Sequence, residues 1–181
     1  MAKLKIYLDT NMVYGLFKRM FQAVFKGREF RIPEKIRFMH RNSDKIEAYT
    51  SFFTLIEIAG ELRSLSKRKK IKLNKAQIQS MFNFFTENFQ VEILREIRIT
   101  DKALEYFLDG VQWKDAIQLD IARNNGFTLV TDDSDLQRIG KKHYPNILNF
   151  RELASEESQL AGAPAVLSTP PLTKGGEEAI R

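Results

Sequence analysis

The chain has 181 residues, 43% of them apolar and 29% charged, which suits one domain large enough to bury a core. Cysteine is absent and histidine occurs twice, at His40 and His143, so there is no material for a disulfide framework, a thiolate nucleophile, a Cys-based zinc site or a His-rich metal site. The formal net charge is +6; residues 154–181 carry two basic and four acidic residues, net −2, so removing them leaves +8 on the body, an excess that points to a polyanionic partner, nucleic acid first.

Leu4 to Leu8 alternates and is rich in strand formers, so it reads as a β-strand. Asp9, Thr10 and Asn11 follow as a strand-to-helix turn. Val13, Leu16, Phe17, Met20 and Phe21 then recur at helical spacing. Residues 26–45 are charged and irregular, with Pro33 placed to open a short helix that turns Ile36 inward. A second strand is expected over Ala48–Phe53. A helix follows, with Leu55, Ile58, Ala59, Leu62 and Leu65 on its stripe and Glu57 and Glu61 on another face. The run Lys67-Arg68-Lys69-Lys70 is expected to break it. Asn74 caps the next helix, whose stripe is Ile78, Met81, Phe82, Phe85 and Phe89.

Val91 to Leu94 reads as a short strand. Thr100 and Asp101 cap a helix expected to bury Leu104, Phe107 and Leu108. A helix over 115–125 ends at Gly126, a natural left-handed stop, and Phe127–Val130 is a buried strand. Thr131 to Asp135 turns into a last helix with Leu136 and Ile139 inward, and Ile147-Leu148 is an edge strand. Strands alternating with helices predict a three-layer α/β/α sandwich around a central, mainly parallel sheet. It is expected to occupy residues 1–153. From Ala154 onward Ala, Gly, Pro, Ser and Thr dominate, and residues 154–181 read as a flexible tail. No apolar run approaches the roughly 20 residues of a membrane-spanning helix, and the first residues lack the apolar core of a signal peptide, so a cytoplasmic protein without a membrane partner is expected.

Two acids sit at the carboxyl ends of apolar strands, Asp9 and Asp133, and in parallel sheets ligands bind beyond those ends. Glu57 and Asp115 lie in the first turns of helices and face the same crevice if each helix follows a strand. Four converging carboxylates repel one another unless a cation lies between them, and hard oxygen donors suit Mg²⁺ or Mn²⁺. Such ions polarise a phosphate and activate water, while a basic surface holds the polyanion. Singly, each acid also reads as a helix cap, a first-turn acid favoured by the helix dipole, or a solvated residue. Jointly the second reading weakens, because Glu57 interrupts an apolar stretch where a carboxylate needs a partner. Asp120 lies about 140° around its helix from Asp115 and is expected to face solvent.

The segments Ile6-Tyr-Leu-Asp9-Thr-Asn11, Thr54-Leu-Ile-Glu57-Ile58, Lys114-Asp115-Ala-Ile-Gln-Leu-Asp-Ile-Ala122 and Leu129-Val-Thr131-Asp-Asp133-Ser-Asp135-Leu136 resemble, in order, the four motifs of PIN-domain proteins. Within that family the chain is most similar to VapC-type toxins, small metal-dependent ribonucleases. The resemblance implies that Asp9, Glu57, Asp115 and Asp133 form a Mg²⁺ or Mn²⁺ site that hydrolyses RNA phosphodiesters, with Asn11, Thr131 and Asp135 in support. It also implies a homodimer and a small antitoxin partner. Asp132 offers a second possible ligand beside Asp133, and the family's Thr-x-Asp-x-Asp phasing favours Asp133. A housekeeping RNA-processing nuclease and a non-catalytic RNA- or protein-binding module are the alternatives.

Lys67, Arg68, Lys69 and Lys70 read either as an RNA-phosphate contact or as a solvated helix end. Phe82, Phe84, Phe85 and Phe89 read as packing, with Phe84 off the main stripe. Trp113 is expected to pack, and His143 to be exposed.

Overall fold

Alternation in the first strand sets the layers. In the computed structural model, which describes residues 2–158, β1 (Leu4–Leu8) turns Ile6 and Leu8 to one face of the sheet and Tyr7 to the other, and all three are fully buried. Four further strands join it: β2 (Ile46–Ser51), β3 (Val91–Leu94), β4 (Thr128–Val130) and β5 (Ile147–Leu148). They pair in the order β3-β2-β1-β4-β5 and every pairing is parallel. Parallel neighbours need crossovers, and helices supply them.

Between β1 and β2 run α1 (Thr10–Lys26) and α2 (Glu34–Arg41), and between β2 and β3 run α3 (Phe52–Lys69) and α4 (Lys75–Asn88). Their apolar faces and that of α8 (Phe150–Ser158) close on Ile6, Leu8, Ile46, Ala48 and Val130. Six phenylalanines lock this layer: Phe17 packs against Phe82 and Phe85, and Phe84 against Phe30 and Phe89. Phe84 is therefore a packing residue like its neighbours. On the opposite face, α5 (Asp101–Leu108), α6 (Trp113–Asn124) and α7 (Ser134–Gly140) close on Tyr7 and Leu129. The expected three-layer sandwich is what forms. Gly126 adopts φ +68°, the left-handed stop that its sequence position implies.

The order of the strands matters for function. The chain leaves β1 toward β2 and β3, then returns across β1 to β4 and β5. The reversal falls between β1 and β4, the place where a crevice opens beyond the strand ends. Asp9 follows β1 directly, and Thr131 follows β4 directly.

Several expectations are corrected. The second strand is Ile46–Ser51, two residues earlier than expected, because the Ser51 hydroxyl accepts a hydrogen bond from Thr54 N (3.2 Å) and draws Phe52 and Phe53 into α3 as its N-terminus. The basic run does not break that helix: α3 continues through Lys69, and Lys70 ends it with a left-handed φ of 52°. Cations at a helix C-terminus meet its negative dipole end. In α5 the buried residues are Ala103 and Tyr106, whereas Leu104, Phe107 and Leu108 are exposed. The small Ala103 lets α5 lie close on α6, and Tyr106 is held there by a hydrogen bond from Arg123 (2.6 Å). His143 is mostly covered, beside the Tyr106 ring and 3.4 Å from Asp109. Helix α8 runs to Ser158, past the expected start of the tail at Ala154; residues 159–181 lie outside the described residues.

Asp120 is the largest departure. It is fully buried, and its carboxylate accepts hydrogen bonds from Thr100 N (2.6 Å) and Thr100 Oγ1 (2.8 Å). Helical geometry turns it away from Asp115 as expected, but the N-terminus of α5 covers that side. Replacing it by Ala leaves the half-buried amide and hydroxyl of Thr100 without their acceptor. Asp120→Ala is expected to cost about 3 kcal/mol, read as a lowered urea midpoint with an unchanged slope, and Asp120→Asn to cost less.

Candidate metal centre

Each acid of the site is placed by a strand end or a helix start. Asp9 is the N-cap of α1, where its Oδ1 accepts from Thr10 N (2.5 Å). Its Oδ2 accepts from Asn11 Nδ2 (2.6 Å) and Thr131 Oγ1 (2.6 Å). Asn11 also donates to Thr131 Oγ1 (2.9 Å) and accepts from Asp132 N (3.2 Å), so it stitches the turn after β1 to the turn after β4. Thr131, fully buried, in turn receives Asp133 N (3.1 Å). Asn11 and Thr131 thus both donate to Oδ2 of the Asp9 carboxylate.

Glu57 occupies the second turn of α3. Its Oε2 accepts from Thr10 Oγ1 (2.7 Å) and Gln118 Nε2 (2.7 Å), and Gln118 donates again to Thr10 Oγ1 (2.9 Å). Its Oε1 faces Lys114 Nζ at 3.3 Å. The carboxylate in an apolar stretch has found partners, but none of the three was foreseen. Thr10 looked like a turn residue and Gln118 like one more helix former. Gln118 sits three residues after Asp115, one turn along the same face, and that spacing was the available signal. Its Oε1 is buried and has no hydrogen-bond partner among the described residues.

Asp115 lies in the first turn of α6, and its carboxylate accepts no hydrogen bond from the described residues. Burial, followed by the charges of Asp9, Asp133 and Glu57, pushes it up to about 7, against the pull of Lys114. Burial likewise pushes Asp9 up to about 6, aided by Glu57 and Asp133 and opposed by the hydrogen bonds from Thr131 and Thr10. Asp133 caps α7, with Oδ1 accepting from Asp135 N (2.9 Å) and Leu136 N (2.8 Å). The four acids therefore share one electrostatic environment.

Asp132 stands apart from them. Its carboxylate pairs with Lys35 of α2 and accepts from Phe150 N (3.0 Å). Burial works against its charged form, yet Lys35, the Phe150 amide and Arg151 hold it below the ordinary carboxylate range. Asp135 is exposed and its side chain pairs with Arg138 (3.0 Å), so only its backbone serves Asp133. Lys67, Arg68, Lys69 and Lys70 are exposed at the far end of α3, at least ~15 Å along the helix axis from Glu57. Trp113 is 55% exposed; it meets Phe53 edge-on and lies under Lys114, so it packs only in part.

The donors are carboxylate and amide oxygens, a hard set that suits a divalent cation such as Mg²⁺ or Mn²⁺. They do not form a closed cage: among the described residues no three His, Cys, Asp or Glu side chains stand together closely enough to hold one ion. Mg²⁺ does not require that, since it is commonly held through one or two carboxylates and keeps several waters. An acid without a hydrogen-bond donor, facing three others, fits such a hydrated cation.

The charge arrangement predicts a pH dependence. Asp9 and Asp115 titrate higher in the folded chain than in the unfolded one, so between about pH 4 and pH 7 the native state binds more protons. Chelated protein is therefore expected to be most stable near pH 4–5 and to lose stability as the pH rises through 7. Mg²⁺ or Mn²⁺ restores it at pH 8, and Asp115→Asn raises the melting temperature in EDTA at that pH while shrinking the cation effect. Thermal unfolding at pH 5 and pH 8, with EDTA and with each cation, checks this.

A family model described as PIN domain matches residues 6–142. Among solved structures, the fold is similar to that of PAE2754 from Pyrobaculum aerophilum, with 15% identity, a TM-score of 0.52, and 86% of this chain and 96% of that one covered. VapBC2 from Rickettsia felis, bound to a DNA fragment from their promoter, gives 18% identity and a TM-score of 0.49 over 81% of this chain and 98% of that one. No curated protein matches. With three quarters of its length inside one family model, the chain belongs to the PIN domain family.

Proposed function

We propose that the protein is a Mg²⁺- or Mn²⁺-dependent ribonuclease of the VapC type. The observation that carries this is the sharing of one electrostatic environment by Asp9, Glu57, Asp115 and Asp133 at the strand-order reversal of a basic chain. Membership of a family whose proteins are generally nucleases supports the same reading.

Asp9, Glu57, Asp115 and Asp133 would hold a hydrated cation between them. Bound there, it would supply positive charge to a phosphate oxygen and lower the pKa of a bound water. Asn11 and Thr131 fix the orientation of Asp9, and Thr10 and Gln118 fix that of Glu57 by occupying its Oε2. Lys114, beside Glu57, supplies a cation on the substrate side. Lys67, Arg68, Lys69 and Lys70 extend the basic surface along the RNA backbone, where contacts to phosphate give affinity without sequence choice. On this reading the protein acts in the cytoplasm.

The same reading gives the protein a second copy of itself and a small antitoxin as partners. Leu104, Phe107 and Leu108 on α5, with Phe52 and Ile56 on α3, are large exposed apolar residues that such partners would cover. One observation favours a second reading, a non-catalytic RNA-binding module: the Lys114 ammonium already neutralises Glu57.

Cleavage of single-stranded and structured RNA separates the two. Wild type with Mg²⁺ or Mn²⁺ is expected to cleave, EDTA to stop it, and Asp9→Asn and Asp115→Asn each to lower the rate more than about a hundredfold. Cleavage untouched by EDTA and by both substitutions contradicts the ribonuclease reading. RNA binding that survives loss of all four acids, without any cleavage, establishes the module instead.

A further inference from the structure

One ion pair beside the acid cluster takes no part in holding the cation. Lys35, in the first turn of α2, is paired with Asp132 in the turn after β4, 97 positions along the chain. The second Asp132 oxygen accepts from Phe150 N at the start of α8 (3.0 Å), and the Phe150 ring meets Phe38 of α2 edge-on at 5.4 Å. Helices α2 and α8 are thus clasped to the turn at one residue. Arg151 adds positive charge nearby but makes no ion pair with Asp132 among the described residues.

The backbone of the same residue faces the acids. Asp132 N donates to Asn11 Oδ1 (3.2 Å), and Asp133 N donates to Thr131 Oγ1 (3.1 Å). These two N–H groups flank the Asp132 α-carbon, so a rotation about its backbone bonds displaces one against the other. Asn11 and Thr131 pass the constraint to Asp9, since each donates to its Oδ2. A carboxamide has nearly the same shape either way round, and its partners decide which end is the oxygen. For Asn11, Asp9 selects the nitrogen end and the Asp132 N–H selects the oxygen end. Reversed, Asn11 would aim an oxygen at a carboxylate.

We propose that Lys35 is a positioning residue for the metal centre: by anchoring the Asp132 side chain, it fixes the peptide N–H groups that orient Asn11, Thr131 and, through them, Asp9. The proposal rests on the ribonuclease reading and adds to it a control exerted from α2. A half-exposed ion pair adds little to the stability of the fold, so the role is read at the site. The electric field of Lys35 works in the opposite direction. It is a positive charge near the cation's place, and its loss leaves Asp132 negative beside Asp133, so by charge alone that loss favours the cation. Positioning predicts the reverse, and the sign of the effect separates the two.

The test uses the full chain with Lys35→Met, which keeps the apolar stem and removes the charge, and with Lys35→Arg, which keeps the charge. Three readings are taken: Mn²⁺ affinity by calorimetry at neutral pH, exchange of the Asp132 amide hydrogen by NMR in EDTA, and the kcat and KM of RNA cleavage. Lys35→Met is expected to weaken Mn²⁺ binding about fivefold, less than the loss of a group that touches a ligand. It speeds exchange of the Asp132 amide about fivefold in the metal-free chain, because the bond to Asn11 opens more often. It lowers kcat with little change in KM, and it leaves the urea midpoint nearly unchanged. Lys35→Arg restores all three readings. Mn²⁺ binding that Lys35→Met leaves unchanged or tightens overturns the proposal, and tightening marks a field effect alone. An Asp132 amide indifferent to Lys35→Met overturns it too. So does a lowered urea midpoint with the other readings unmoved, the mark of a merely structural clasp, or a failure of Lys35→Arg to restore them. An amide response to Lys35→Met in a protein whose wild type neither binds Mn²⁺ nor cleaves RNA removes the ribonuclease reading and keeps the clasp. Mn²⁺ binding and cleavage that Asp9→Asn abolishes and Lys35→Met leaves alone do the reverse.

Discussion

Four carboxylates gathered at the carboxyl edge of a parallel sheet repel one another, and burial makes the charges of Asp9 and Asp115 harder to hold. The fold imposes this conflict. The chain reverses its strand order between β1 and β4, so the residues that follow those strands, Asp9 and Thr131 with Asp133, must meet. Helices α3 and α6 start at the same edge from opposite faces of the sheet and bring Glu57 and Asp115. Nothing in the packing of either layer requires acids there; what the arrangement accommodates is positive charge.

The neutral residues around the acids make sense in that light. Asp9 takes three hydrogen bonds, and Glu57 takes two together with the Lys114 ammonium. These donors hold the charges in fixed orientations and lessen their mutual cost. Asp115 receives none among the described residues, and it is the acid of the four pushed furthest from its ordinary value. The site is thus graded: a rigid, hydrogen-bonded side at Asp9 and Glu57, and an open side at Asp115.

Local chemistry was readable along the chain. Strand alternation, the caps at Asp9, Asn74, Thr100 and Asp133, and the stop at Gly126 all lie within a few residues of what they determine. What was not readable depends on partners far away in sequence. Asp120 looked solvent-facing because helical geometry locates a side chain relative to its own axis, and cannot tell that Thr100 will cover it. Leu104, Phe107 and Leu108 looked like a core stripe because they are apolar at helical spacing, yet α5 packs through the smaller Ala103 and through Tyr106. The choice between Asp132 and Asp133 turns on Lys35, 97 residues away. Thr10, Lys114 and Gln118 escaped notice because neutral or basic residues become functional only when Glu57 arrives from another helix.

The central claim is that these four acids act together as one cation site, and direct titration of Mn²⁺ by calorimetry tests it most plainly. At neutral pH the wild-type chain is expected to bind Mn²⁺ with a defined stoichiometry of one or two ions. Asp9→Asn and Asp115→Asn, on opposite sides of the crevice, are each expected to weaken that binding at least about tenfold, as loss of a ligand does. Absence of specific Mn²⁺ binding in the correctly folded wild type, or binding that neither substitution alters, contradicts the account.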